Sequence, residues 1–173
     1  MFFALWPEPD IQAELVQTGR ALQGAMGGKL TRQESIHLTL AFLGDVDLDR
    51  MDDVLGVGAC AEFRPFAFVV DTTGCWGHNG VVWLGPQVTP GPLLSLVDSL
   101  RGALRESGFR VEQRPYAAHV TIVRKARCRP IDLTLSPVEW RVNHFVLVRS
   151  QLSAEGSRYT VVARWPEANR TPD

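Results

Sequence analysis

The chain has 173 residues, 45% hydrophobic and 21% charged, enough for one sizeable domain or two small lobes around a shared core. That composition excludes disordered and fibrous classes, and the longest apolar runs are far below the roughly 18 residues of a membrane span. Net charge is only -1 but uneven: residues 1–100 carry 5 basic and 12 acidic side chains, a balance of -7, and residues 101–173 carry 13 and 7, a balance of +6. An anion is better received by the later half, where 12 of the basic residues are Arg, whose planar fork suits phosphate oxygens. Surface solubility charge is the competing reading of the same excess.

The opening FFALW reads as a short buried strand ended by Pro7 and Pro9, without the basic region and cleavage site of a secretory leader, so a cytoplasmic protein is expected. Ile11, Leu15, Ala21, Leu22 and Ala25 then recur at helical spacing, and Gly27-Gly28 is a natural stop. SIHLTLAFLG follows as a strand closed by Gly44. In the acidic DVDLDRMDDVL a helix is expected to start with Asp47 as its cap.

The middle reads as one hairpin, FAFVVDTTGCW and VVWLGP, around the turn signal His78-Asn79-Gly80. A helix is predicted over 91–107, with Leu93, Leu94, Leu96, Val97, Leu100 and Leu104 on its apolar side, and then AAHVTIV as a strand. Strand, helix, loop and His-x-Thr strand thus occur twice. The separation from Phe2 to His37 nearly equals that from Val81 to His119, which suggests an internal duplication. Strands over 139–149 and 158–165, joined by the turn-rich SAEGS, complete an α+β plan: two pseudo-twofold-related lobes of mostly antiparallel sheet with helices on the outer face. Residues 1–166 are expected to form one domain, with 167–173 as a flexible tail. Cys60, Cys75 and Cys128 are odd in number and in no CxxC pair, which predicts buried reduced thiols and neither a disulfide framework nor a zinc site.

In a strand, residues i and i+2 share a face, so His37 lies beside Thr39 and opposite Leu38 and Leu40. His119 and Thr121 repeat this against Val120 and Ile122. A lone strand histidine is usually structural; two in matching positions of similar halves would face one central groove. Such a groove suits displacement at phosphorus, with a base on the nucleophile and an acid on the leaving oxygen, roughly in line. Threonine hydroxyls and a nearby Arg can hold the non-bridging oxygens. A metal site is the weaker reading, since neither motif has a carboxylate at ligand spacing. No G-x-S-x-G elbow points to a serine nucleophile. His78 in its turn and His144, with no Thr two residues on, read as structural.

At these residues the sequence resembles the two-histidine phosphoesterase superfamily, and within it the bacterial RNA 2',3'-cyclic phosphodiesterases, also called 2'-5' RNA ligases. FFALWP, SIHLTLAFLGDV, VVWLG, RPYAAHVTIVRKA and FVLVRSQLSAEGSRYTVVARWP all look like family blocks in family order, over residues 2–166. The resemblance implies a bilobal α+β fold with a central groove and hydrolysis of RNA 2',3'-cyclic phosphate ends to 2'-phosphate ends. The reverse 2'-5' joining would be a side capability. By motif, His37 would donate a proton to the departing 3'-oxygen, His119 would accept one from water, and Thr39, Thr121 and Arg124 would bind the phosphate. RNA bearing a cyclic phosphate end, or a related nucleotide, is the implied partner, with no cofactor and no metal, acting as a monomer. Where the common family start carries an acidic residue, this chain has Trp6.

Strict alternation from His119 puts residue 124 on the face away from the groove, so Arg124 reaches a phosphate only if the strand bends, bulges or ends there. Tyr116 and Phe42 are candidates to stack on a base; core packing competes with that role and is favoured for Phe42. Two other functions fit the same groove: a non-catalytic RNA-end or nucleotide-binding module, and a phosphodiesterase for a small cyclic phosphate nucleotide.

Overall fold

A computed structural model describes residues 1–130, 133–153 and 156–166. In chain order the elements are β1 (Phe2–Leu5), α1 (Pro9–Met26), β2 (Lys29–Leu30), β3 (Leu38–Phe42), α2 (Met51–Cys60), β4 (Phe66–Val70), β5 (Thr72–Trp76), β6 (Val81–Gly85), α3 (Gly91–Glu106), β7 (Val120–Arg124), β8 (Val138–Val142), β9 (Phe145–Ser153) and β10 (Gly156–Trp165). The main sheet runs β10-β9-β1-β3-β7-β6-β5, with β2 added to β7, and β4 and β8 form a separate pair. Every pairing is antiparallel. The expected tail, 167–173, and part of the SAEGS turn lie outside the described residues.

The two His-x-Thr strands are neighbours at the centre of this sheet, joined through one bridge, Leu38 to Val120. On their inner side Leu38, Leu40, Val120 and Ile122 are fully buried. The helices cross over behind them: α1 packs on β7 and α3 on β3, so the helix from each half backs the histidine strand of the other. Contact at the first crossing is tight enough to need Gly19, since a Cβ there would lie 2.3 Å from the Ile122 side chain. The predicted lobes therefore share one sheet and one core, and the apolar stripe of α3, from Leu93 to Leu104, enters it.

Several sequence expectations need correction. The expected strand FAFVVDTTGCW breaks at Asp71: β4 leaves to pair with β8, while β5 pairs with β6. The strand expected over 139–149 likewise divides at Asn143-His144 into β8 and β9. Asp47 does not cap a helix through its side chain; it precedes a 3-10 turn, Leu48–Arg50, and α2 begins at Met51. Nor are the cysteines buried reduced thiols. Cys60 is exposed, and Cys75 and Cys128 are joined by a disulfide with Cα atoms 5.6 Å apart, because the chain after β7 folds back along the β5–β6 turn, where the Ala126 N–H donates to the Gly80 carbonyl at 2.9 Å. That Cα spacing lies inside the range a disulfide spans.

Candidate active site

His37 and His119 stand immediately before β3 and β7 and are held in the same way. Nδ1 of His37 donates to the Ser35 carbonyl at 2.7 Å, and Nδ1 of His119 donates to the Ala117 carbonyl at 2.8 Å. A carbonyl only accepts, so each bond fixes the proton on Nδ1 and leaves Nε2 free for proton transfer. This arrangement offers one imidazole from each half with equivalent atoms available.

Burial holds both rings neutral at ordinary pH. The His37 pKa is pushed down to about 4, first by desolvation, against the opposing Ser35 hydrogen bond, with smaller contributions from the positive charge of Arg124 and from His119. Desolvation also lowers His119, opposed by its Ala117 bond and assisted by Arg124. Much of the desolvation of His37 comes from an aromatic nest. Phe2 stacks on it at 4.9 Å and Trp6 at 5.2 Å with planes 4° apart, while Tyr159 meets it edge-on at 5.2 Å. Among the described residues His119 has a single aromatic neighbour of this kind, Trp76, edge-on at 4.7 Å.

The two motifs exchange partners across the dyad. One cavity of about 400 Å³ contains His37 with Thr121 and Arg124, and another of about 390 Å³ contains His119 with Thr39, Phe42, Trp76 and Tyr116. Each histidine therefore shares its space with the threonine of the opposite strand. Thr39, Thr121 and both histidines are partly exposed, as a groove open to a substrate requires.

Arg124 reaches the groove because β7 carries a bulge. Val82 and Trp83 are adjacent, yet they pair with Val123 and Thr121, so Ile122 is the extra residue. Ile122 and Val123 are both buried in succession, and Arg124 emerges on the side of Thr121. Alternation, which would have turned Arg124 away, fails at that step. In β3 the same irregularity occurs at Leu40, between Phe3 pairing with Ala41 and Ala4 pairing with Thr39. Phe42 is consequently 63% exposed and not in the core. Tyr116 is half-buried; its hydroxyl donates to the Thr39 carbonyl at 2.9 Å and its ring lies under the Arg101 guanidinium at 5.5 Å. Its main tie is thus to β3, although it lines the His119 cavity.

The sequence reading missed the aromatic nest. Its signal was alternation within β1: Phe2, Ala4 and Trp6 share the groove side with Val146 and Val148, while Phe3 and Leu5 enter the main core. His78 is exposed in its turn, and His144 lies apart near Arg164 and Glu8, where burial lowers its pKa. Among the described residues, no three His, Cys, Asp or Glu side chains gather as a metal-binding cluster. No described helix is long and apolar enough to cross a membrane.

A fold made of two half-repeats, with one His-x-Thr strand from each at its centre, is matched by comparison with known proteins. The family model described as LigT-like phosphoesterase matches the chain twice, over residues 5–83 and 84–159, and the chain belongs to that family. The RNA 2',3'-cyclic phosphodiesterase of Escherichia coli (strain K12) is 29% identical over 168 residues, spanning 95% of this chain and 94% of that protein. The protein of the same name from Thermus thermophilus is 30% identical over 176 residues, spanning 95% and 88%. Among solved structures, apo Escherichia coli LigT superimposes with a TM-score of 0.83 at 28% identity, over 95% of this chain and 94% of that one. Its complex with 3'-AMP gives the same TM-score and identity, over 95% of each chain.

Proposed function

We propose that the chain hydrolyses 2',3'-cyclic phosphate ends of RNA to 2'-phosphate ends, without a metal. Water attacks phosphorus as the P–O3' bond breaks, the new P–O bond forms, Nε2 of His119 takes the proton from water, and Nε2 of His37 delivers one to the 3'-oxygen. Thr39, Thr121 and Arg124 hold the non-bridging oxygens, where charge accumulates. The observation that carries this reading is the matched pair of Nδ1 anchors, which leaves two chemically equivalent Nε2 atoms from two strands that meet at Leu38 and Val120.

The acid role of His37 requires a proton that its nest disfavours in the free protein. An arriving phosphate supplies the missing counter-charge: an anion beside a buried imidazole favours the charged form. Protonation is thereby coupled to substrate entry. Replacing water by a 5'-hydroxyl in the same step yields a 2'-5' linkage, drawing on the strain of the cyclic ester, and ligation is read as this variant.

Residues 1–166 act as one catalytic unit, as a monomer and in the cytoplasm, where the substrate is RNA. There the Cys75–Cys128 bond has to survive a reducing thiol pool, which thiol trapping of freshly lysed cells would measure. The function itself is tested by incubating the protein in EDTA with an oligoribonucleotide ending in a 2',3'-cyclic phosphate and locating the phosphate in the product. A 2'-phosphate is expected; a 3'-phosphate, or an unopened ring, refutes the reading.

A further inference from the structure

We propose that a cationic ridge beside the His37 end of the groove, carried by Lys29, Arg32, Lys125, Arg127 and Arg129, binds the phosphodiester backbone of the RNA strand that leads to the cyclic end. This rests on the reading above and deepens it: the substrate is a polynucleotide end, and the ridge adds sites for phosphates that do not react.

Two segments build the ridge, 27–33 and 124–130. They contain six cations with Arg124 and no carboxylate. β2 pairs with β7 so that Lys29 lies opposite Arg124. The approach is close because residue 28 is glycine: with φ at +91°, it sits where a Cβ would be 2.5 Å from the Arg124 carbonyl oxygen. Beyond β7 the chain stays against the end of α1, with the Arg127 N–H donating to the Met26 carbonyl at 2.9 Å and the Arg129 guanidinium donating to the Ala25 carbonyl. Among the described residues, only Arg32 of these cations has an ion pair, with Glu34 at 3.5 Å, and both of those side chains are exposed. A fold that gathers this many like charges around a single carboxylate partner is less stable for it, so an external anion is the complementary ligand.

The ridge is continuous with the reaction site. Lys29 and Arg32 line the same 400 Å³ cavity as His37 and Arg124, and Lys125, Arg127 and Arg129 line an adjoining hollow of about 620 Å³ across the β2–β7 edge. Thr31, on the first cavity, has a buried hydroxyl oxygen with no partner. On the other side of the histidines the cavity has the aromatic faces of Phe42, Trp76 and Tyr116, and its two arginines are already engaged, Arg101 with the Arg114 carbonyl and the Tyr116 ring, and Arg114 with Glu112. The cyclic ribose has two exits, its base at C1' and its strand at C5', and the two flanks differ in the way those exits do: one offers aromatic faces, the other a row of cations.

The test compares uridine 2',3'-cyclic phosphate with a ten-nucleotide RNA ending in the same group, using wild type and the double variant Lys125→Ala/Arg127→Ala, whose side chains line only the adjoining hollow, over a salt series. Neither side chain takes part in the chemistry. For the decamer, the double variant should lose about tenfold in kcat/KM at low salt, and the slope of log kcat/KM against log salt should flatten by about 1.4, roughly 0.7 per phosphate contact on a single strand. The mononucleotide should change less than about twofold, since it has no further phosphate to place in the hollow that holds the two substituted cations. An unchanged decamer slope, or equal losses on both substrates, overturns the proposal. Fluorescence anisotropy with a decamer ending in 2'-phosphate judges the ridge without turnover: weaker binding by the double variant supports it, and equal binding overturns it. Failure of the wild type to open either cyclic phosphate would count against the proposed function alone.

Discussion

Phe42 and Arg124 occupy the same place in the two halves: each is the fifth residue after its histidine, each follows a bulge, and each emerges beside the groove where strict alternation would have hidden it. One half thus contributes an aromatic face and the other a cation, and the duplicated scaffold gives an asymmetric site suited to an asymmetric substrate, a nucleotide with a base at one side and an anion at the other.

Arg124→Ala should lower kcat/KM for cyclic phosphate opening by about 10²–10³-fold, the usual cost of removing one donor from charge developing in a transition state. Arg124→Lys should recover only part of this, because an ammonium keeps the charge and loses the two-pronged contact. Equal activity of Arg124→Ala and wild type would remove Arg124 from the phosphate site.

His37→Ala and His119→Ala should each reduce turnover by about 10²–10⁴-fold, the range for a general acid or base. Far-UV circular dichroism should be unchanged, since both rings lie outside the core formed by Leu38, Leu40, Val120 and Ile122. Full activity in either variant rules out the paired acid and base.

Much of this site could be read from the chain. His-x-Thr occurs twice between apolar residues, and period two alone puts His37 with Thr39 and His119 with Thr121. The bulges could not be read, because a bulge is a property of two strands: Leu40 is extra only against Phe3 and Ala4, and Ile122 only against Val82 and Trp83. Distance along the chain hid the rest. β4 and β8 are short, pair only with each other among the described strands, and lie far apart in the sequence, so Asp71 and Asn143 looked like interior residues of longer strands. Local pattern carried the helices and the Asn79-Gly80 turn because those are set by neighbouring residues.

Phe42→Ala should raise KM by roughly 5- to 150-fold, if the exposed ring carries a base at the usual stacking value of about 1–3 kcal/mol. Phe42→Tyr should be nearly silent. A substrate without a base, such as ribose 2',3'-cyclic phosphate, should be insensitive to the substitution; a loss of equal size on that substrate would mean that Phe42 acts on the fold of β3 instead.

The His37 ring should titrate near pH 4 in the free protein, as followed by the chemical shift of its ring protons, and should move up when 2'-AMP binds. Trp6→Ala, which opens one stacked face to water, should move it toward its ordinary value near 6.5 without ligand. Stability follows with a definite sign. Between pH 6.5 and about 4 the unfolded chain binds a proton at His37 and the folded chain does not, so stability falls as pH drops through that window and this contribution levels off below it. Thermal melts of His37→Gln should have a shallower pH dependence over the same window, and parallel curves would show that the ring is not held neutral by its nest.

Reduction of Cys75–Cys128 should lower thermal stability without removing activity. The bond closes a loop across a sequence separation of 53 and constrains the unfolded chain, an effect worth about 2–4 kcal/mol. Cys75 precedes Trp76, which meets His119 edge-on, and Cys128 follows Arg124 by one short turn, so the clasp ties together the outer sides of the His119 half. Neither sulfur lines the two cavities that contain the histidines. A dithiol reductant should therefore depress the melting temperature of the wild type to that of Cys75→Ala/Cys128→Ala, with kcat on cyclic phosphate changed less than KM. Equal melting temperatures with and without reductant would mean that the native contacts around β5 and the Gly80–Ala126 hydrogen bond already hold this edge without the covalent link.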